Sequence, residues 1–232
     1  MRATVQTTQR TRVCVVGLGP SAADKAEEID ACDFVVRLKG FWLHGAENAG
    51  SKISAHASYG DLPKEDYPEL RCEHWFTHCP QHVRRQVIAW GAKRLGRLEF
   101  FAAKADGCPI RILPTRLWQK LRAYLNRDPS TGIVAVAMAL ERFPECELVL
   151  HGFDSTVPER PNFWDARQAE STKFACHAIL AEKQALAEID EGRWLGEPTH
   201  ATLTWPARPD IAAAVEYVRQ TAEEAKVKEA ED

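Results

Sequence analysis

The chain has 232 residues, 45% hydrophobic and 27% charged, with 30 Lys and Arg against 33 Asp and Glu for a net charge of −3. That composition suits a globular protein with a sizeable core, excludes collagen-like, coiled-coil-only and disordered chains, and carries no general nucleic-acid footprint. Seven scattered Cys do not read as a disulfide framework, the polar start MRATVQTTQRTR lacks the apolar stretch of a signal peptide, and the longest apolar runs, such as Ile133–Leu140, fall far short of the ~18 residues that span a bilayer.

The elements alternate in type along the chain. Val13–Val16 is an apolar run of the buried parallel-strand kind. Gly17-Leu-Gly-Pro-Ser-Ala22 is a turn, with Pro20 suited to a first helical turn. A short helix follows over Ala22–Ile29, then a strand over Asp33–Lys39. Gly40–Gly60 reads as loops around a short strand at Lys52–His56. Glu73–His78 reads as a strand, Pro80 begins a helix, and Leu98–Ala102 and Ile110–Leu113 are further strands. Thr115 caps a helix to Leu125 with Leu117, Leu121 and Leu125 on one stripe. Pro129-Ser-Thr-Gly132 opens an apolar helix to Leu140, and Glu147–His151 is a buried strand that ends at Gly152-Phe-Asp154. Ser155–Glu170 is a long loop, Thr172–Ile189 a helix, Trp194–Pro209 a Pro/Trp-rich connection, and a last helix starts at Asp210. The expectation is one α/β domain over residues 1–232, a Rossmann-like unit with a mainly parallel sheet flanked by helices. Residues 1–11 are expected to be a flexible start and residues 220–232 a frayed tail. The expected setting is cytoplasmic and reducing.

Two turns are suited to anions. In Gly17–Ala22, glycines after a strand let the backbone approach a phosphate, and the following helix N-terminus favours negative charge. Gly17, Gly19 and Ala22 match G-x-G-x-x-A literally, but the second strand ends on Arg37-Leu-Lys39 where the dinucleotide pattern expects an acid. That end suits only a 2′-phosphate, so an NADP-dependent oxidoreductase is one reading. A bare tight turn is another, and a different nucleotide in the same crevice is favoured. In Pro129–Gly132, Ser130 or Thr131 serves as a plain N-cap or, with the free N–H groups of the helix start, as a phosphate or carboxylate site.

Other candidates are less specific. His177, in CHAILAEKQAL, is a candidate general base where a helix N-terminus keeps its ring neutral, although a helical His is commonly just satisfied or exposed. Glu182, five positions on and about 140° around the axis, need not touch it. Cys72, His74, His78, Cys79 and His82 include zinc-type ligands, but the spacing matches no standard site. The favoured reading there is buried thiols and surface histidines, with no metal. Arg111, Arg116, Lys120, Arg122 and Arg127 read as a solvated helix face, or as an attraction for an acidic acceptor or a peripheral contact with membrane headgroups.

Taken in order, these segments resemble the sialylmotifs of glycosyltransferase family 29. Val13–Lys52 is similar to the long motif, with its strand and glycine turn, Ile29-Asp30-x-x-Asp33, Arg37 and a closing Ala49-Gly-Ser-Lys52. Pro129–Phe153 is similar to the short motif, Asn162-Phe-Trp-Asp165 to the third, and His177 with Glu182 to the very short one. The Gly-x-Gly-Pro-Ser turn also resembles that of the bacterial family 42 sialyltransferases.

The resemblance implies a metal-independent, inverting transferase without a cofactor. Its co-substrate is a CMP-activated 3-deoxy-2-ulosonic acid (sialic acid, Kdo or a relative), and its acceptor is a glycan or glycolipid. It implies His177 and Glu182, separated by four residues in the motif, as catalytic residues, with His177 as the base. It places the donor against Gly17, Gly19, Pro20, Ser21, Arg37 and Lys39, its phosphate and carboxylate against Ser130, Thr131 and Gly132, and its nucleotide against Gly152, Phe153 and Trp164. Leu18 stands where the family carries a polar residue, Lys39 where it carries Asn, and Asn162 where it carries His or Tyr. Leu18 and Lys39 leave the exact ulosonic acid open, or point to a catalytically degenerate nucleotide-binding module. Eukaryotic members join the long and short motifs by a disulfide. Cys14 and Cys146 sit about one residue from those positions and read here as buried free thiols in neighbouring strands.

Overall fold

A computed structural model of the chain describes residues 10–41, 46–58, 72–77, 109–154, 179–213 and 216. The helix expected from Pro80, the strand Leu98–Ala102, the loop Ser155–Glu170 with Asn162–Asp165, His177, the group His78, Cys79 and His82, residues 1–9 of the expected flexible start and the tail 220–232 lie outside the described residues.

The centre is a parallel sheet of seven strands: β1 (Arg12–Val16), β2 (Phe34–Leu38), β3 (Ala55–Ala57), β4 (His74–Thr77), β5 (Ile110–Ile112), β6 (Glu147–His151) and, beyond a two-stranded antiparallel hairpin of β7 (Arg193–Trp194) and β8 (Glu197–Pro198), β9 (Thr202–Thr204). Their order is β5-β4-β3-β2-β1-β6-β9. The chain therefore runs outward from β1 to one edge and returns to place β6 on the other side of β1, at Arg12↔Glu147 through Val16↔His151. The switch point, where α/β sheets bind ligands, lies at the carboxyl ends of β1 and β6.

Alternation in the strands divides the core. Val13, Val15, Val36, Leu148 and Leu150 face the larger cluster, which packs against helices α3 (Thr115–Leu125), α4 (Thr131–Arg142) and α5 (Ile179–Ala187). Cys14, Val16, Val35 and Val149 face a smaller cluster with Ala22, Ile29 and Ala49, under α1 (Ala26–Asp30) and α2 (Ala46–Ala49). Every residue of α4 from Ile133 to Leu140 is buried, as expected of a helix that is apolar all round.

Several expectations are corrected in detail. The single helix Ala22–Ile29 is a 3-10 turn, Pro20–Ala22, followed by α1, with Asp24 between them in the left-handed region at φ 58°. Thr115 does not cap α3: it is the first helical residue, and Pro114 stands at the cap with no side-chain bond. The connection Trp194–Pro209 holds the hairpin and the edge strand β9. At the hairpin turn, Leu195 and Gly196 both take positive φ (51° and 78°), as a two-residue turn of the I′ type requires, and burial of Leu195 in the larger cluster offsets the strain. His74 is buried between Phe34 and Phe76 and is no surface histidine. Arg116 pairs with Glu141, Lys120 with Glu197 and Arg122 with Asp128, which offsets the charge offered for a membrane. Among the described residues no helix is long and apolar enough to cross a membrane, and no group of three His, Cys, Asp or Glu is placed to hold a metal ion. Cys14 and Cys146 are free and buried; Cys14 pairs in register with Val149 and faces the smaller cluster, whereas Cys146 faces the larger one, on the opposite side of the sheet.

Burial lowers the pKa of both His74 and His151. Arg142 and Arg111 lower His74 further, and Glu28, whose carboxylate is 3.5 Å from the His151 ring, opposes the effect at His151. Both rings are thus neutral in the folded chain over a pH range in which the unfolded chain, with an ordinary His pKa near 6.5, takes up protons. Stability is full above about pH 6.5 and falls as pH drops toward the folded values, by about 1.4 kcal/mol per pH unit for each histidine in its window. Urea denaturation between pH 7.5 and 5.0 checks this: His74→Asn and His151→Asn should each flatten the slope.

Candidate active site

The loops after β1 and β6 meet in backbone contact. Gly17 N–H donates to His151 O (2.7 Å), and Gly19 N–H to Gly152 O (3.0 Å), so the ladder between the strands continues past their ends. A Cβ on Gly17 would lie 2.3 Å from Gly152 O, and one on Gly152 would lie 2.6 Å from Gly17 C. Gly152 also takes φ +72°, a conformation that costs an L-residue. Both glycines are present because two main chains touch here.

Side chains lock the same junction. Asp154 Oδ1 accepts from the Ser21 hydroxyl (2.5 Å) and the Ser21 N–H (3.3 Å), and the Ser21 oxygen accepts from Gly152 N–H (2.9 Å). A Cβ on Gly19 would lie 2.5 Å from Asp154 Oδ1. Asp154 is a site residue that the sequence reading passed over as part of a strand end; its signal was an acid directly after Gly152-Phe153. Pro20 is exposed on the 3-10 turn, while Gly17, Leu18 and Gly19 are buried.

The second turn is built by α4 and α5. Ser130 caps α4, its oxygen accepting from Ile133 N–H (3.4 Å). Glu182, buried on α5, accepts from Ser130 N–H (2.7 Å) and from the Ser130 hydroxyl (2.6 Å). The Ser130 hydroxyl is therefore committed within the protein. The Thr131 hydroxyl is buried and has no hydrogen-bond partner among the described residues, and the N–H groups of Thr131 and Gly132 head the helix with no acceptor there. The Phe153 ring joins the two turns: it packs on Gly132, where a Cβ would lie 3.1 Å from the ring. Lys183, next to Glu182 and buried, donates to Phe153 O and lies against the Phe153 and Trp205 rings (5.1 and 5.5 Å).

The long-motif polar residues form a bracket on the other face of the sheet. Arg37 is buried, with Nε donating to Lys52 O (2.7 Å), Nη2 3.4 Å from Asp30 and the Phe41 ring 5.4 Å away. Asp30 accepts from Ser51 N–H (2.8 Å) and Lys52 N–H (2.9 Å). The guanidinium expected at the donor is thus engaged with Asp30 and Lys52. Lys39 leaves β2 at φ 43°, donates its N–H to Ala57 O (3.0 Å) and has its carbonyl 2.8 Å from the His56 ring nitrogen. Of the expected site residues, Gly17, Gly19, Ser21, Gly152, Phe153, Ser130, Thr131, Gly132 and Glu182 come together around the switch point, whereas His177 and Trp164 lie outside the described residues.

The fold is shared with solved sialyltransferases. A mammalian sialyltransferase aligns at TM-score 0.54 and 19% identity over 84% of this chain and 69% of that one. A mammalian sialyltransferase in complex with Gal-beta-1-3GalNAc-ortho-nitrophenol aligns at TM-score 0.50 and 18% identity over the same shares. No family model matches the sequence, and no curated protein sequence does. What the alignments establish is the α/β architecture.

Two predictions test the construction. Gly152→Ala and Gly196→Ala place a methyl group at nearly the same φ, but only Gly152 meets another backbone. Gly152→Ala should cost about 2–4 kcal/mol and Gly196→Ala about 1 kcal/mol by denaturant titration. Glu182→Ala leaves the half-buried Ser130 N–H and hydroxyl without their acceptor, and Ser130→Ala removes both the cap and a donor to the buried Glu182 carboxylate; each should cost about 1–3 kcal/mol by the same titration.

Proposed function

We propose that the chain is an inverting glycosyltransferase that moves a 3-deoxy-2-ulosonic acid, sialic acid or Kdo among them, from a CMP donor to a glycan or glycolipid acceptor. One observation carries this reading: at the switch point of a sialyltransferase-like sheet the head of α4 presents the N–H groups of Thr131 and Gly132 and a buried Thr131 hydroxyl that has no partner among the described residues, held by Gly152–Phe153 against a glycine turn after β1 whose Gly17, Gly19 and Ser21 donors are spent within the protein. The donor carries a phosphodiester, the kind of anion that free N–H groups and a hydroxyl at a helix start suit.

In this reading the phosphate takes the N–H groups of Thr131 and Gly132 and the Thr131 hydroxyl. Ser130 and Ser21 act indirectly, because their hydroxyls hold Glu182 and Asp154. The acceptor hydroxyl attacks the anomeric carbon as His177 takes its proton, and the bond from that carbon to the phosphate oxygen breaks, releasing CMP. Negative charge grows on the leaving phosphate, where helix N–H groups fixed in advance stabilise it without a metal or other cofactor. Glu182 enters as the brace of Ser130, and neutral His177 as the general base.

The test is thermal stabilisation by CMP, CDP, UDP, GDP and NADP with EDTA present, followed by transfer assays with CMP-Neu5Ac and CMP-Kdo. CMP at 100 times its Kd should add about 2.7 kcal/mol of stability. His177→Ala should keep that shift and lose turnover. Stabilisation by NADP and not by CMP overturns the proposal in favour of an oxidoreductase, and CMP binding without transfer of either sugar favours a degenerate module.

A further inference from the structure

Both turns at the switch point are braced by a carboxylate: Asp154 holds Ser21, and Glu182 holds Ser130. Carboxylates serve well as hydrogen-bond acceptors and badly as neighbours of a phosphate, because their charge opposes the ligand that the N–H groups attract. One buried side chain answers both. Lys183, 7% exposed, is adjacent to Glu182 in sequence and donates to the carbonyl of Phe153, the residue before Asp154. The charges of Glu182, on its own helix, and of Asp154, after β6, both act on its ammonium. The Phe153 and Trp205 rings that enclose it carry no charge, and the Phe153 ring in turn backs onto Gly132 at the head of α4.

We propose that Lys183 is the positioning charge of this site: its buried ammonium offsets Asp154 and Glu182, so that the head of α4 between them accepts an anionic ligand. The proposal rests on the CMP-donor reading and deepens it. Lys183 is buried against Phe153 and Trp205, so in this proposal it acts through the field and the frame. The same burial pushes its pKa down to about 8, so the offset is lost in mildly alkaline solution.

The experiment is calorimetric titration of the full chain with CMP and with cytidine, which shares the base and sugar but lacks the phosphate, from pH 7.0 to 9.5. The second phosphate pKa of CMP lies at about 6, so its own charge changes little across that range and negligibly above pH 8, where the Lys183 effect is read. Lys183→Met should weaken CMP about tenfold or more and cytidine less than about twofold, and Lys183→Arg should hold CMP within about threefold of wild type. Adding Asp154→Asn to Lys183→Met should recover CMP affinity, because the amide oxygen still accepts from Ser21 while the charge is gone. Wild-type affinity for CMP should fall above pH 8, and that of Lys183→Arg should stay level.

Equal losses for CMP and cytidine in Lys183→Met, or no rescue by Asp154→Asn, would mean a merely structural role and overturn the proposal. If Lys183→Met does not fold by circular dichroism, the pH series decides, and a level wild-type profile to pH 9.5 overturns it. Wild-type protein that binds neither CMP nor cytidine overturns the donor reading itself, and this proposal with it; that failure is distinct because it precedes any variant.

Discussion

The backbone contact between Gly17 and Gly152 is the constraint on which the rest of the site depends. At an open switch point the loops after neighbouring strands diverge and leave a crevice between them. Here the loops after β1 and β6 close on each other, with Gly17 and Gly19 donating to His151 and Gly152 and with no space for a Cβ at either contact glycine. The junction becomes a rigid floor made of main chain. Phe153 leaves that floor and lies across Gly132, which fixes where the N-terminus of α4 stands relative to the first turn. A shift of either loop would therefore move both turns together.

The polar residues around this floor divide into those that hold it and those left for a ligand. Ser21, Ser130, Asp154 and Glu182 satisfy one another across long sequence separations, from 52 to 133 residues. Arg37, Asp30 and the backbone of Ser51 and Lys52 do the same on the far face of the sheet, where they tie β2 to the end of α1. The groups that remain at the head of α4 are the N–H groups of Thr131 and Gly132 and the Thr131 hydroxyl. In the proposed reading these donors are fixed before an anion arrives, so little reorganisation opposes binding. The acidic braces make the local charge balance critical, which gives a buried lysine beside them a physical reason to exist.

Much of the frame was legible in the sequence because it rests on local pattern. Glu147–His151 is an apolar run closed by a glycine, and it forms β6 with those bounds. Pro129–Gly132 before an apolar stretch announces a capped, buried helix, and Ser130 caps α4. The stripe Leu117, Leu121 and Leu125 faces the core. The misreadings share a cause, which is tertiary context overriding a local signal. Thr115 has the chemistry of a cap but sits one residue inside the helix, and Pro114 takes the cap position. Thr202–Thr204 is too short and too polar to declare a strand, and becomes one only because β6 offers a free edge in register at Glu147↔Thr202. Leu195 has no turn signal of its own; burial in the core holds it in the left-handed region.

For the site, the chemistry on offer is legible in the sequence: glycines after a first strand, hydroxyls at a helix start, and ordered motifs that resemble those of sialyltransferases. These are visible because turn and cap chemistry is written in a few adjacent residues. Which of those groups are committed depends on packing between distant segments. Glu182 binds Ser130, Asp154 binds Ser21, Arg37 turns inward to Asp30, and Lys183 is buried beneath Phe153. Those assignments depend on which strands lie side by side and on which helix crosses them. A hydrogen bond between residues 52 positions apart is fixed by the packing of the sheet and helices that brings its ends together, not by the residues on either side of each partner.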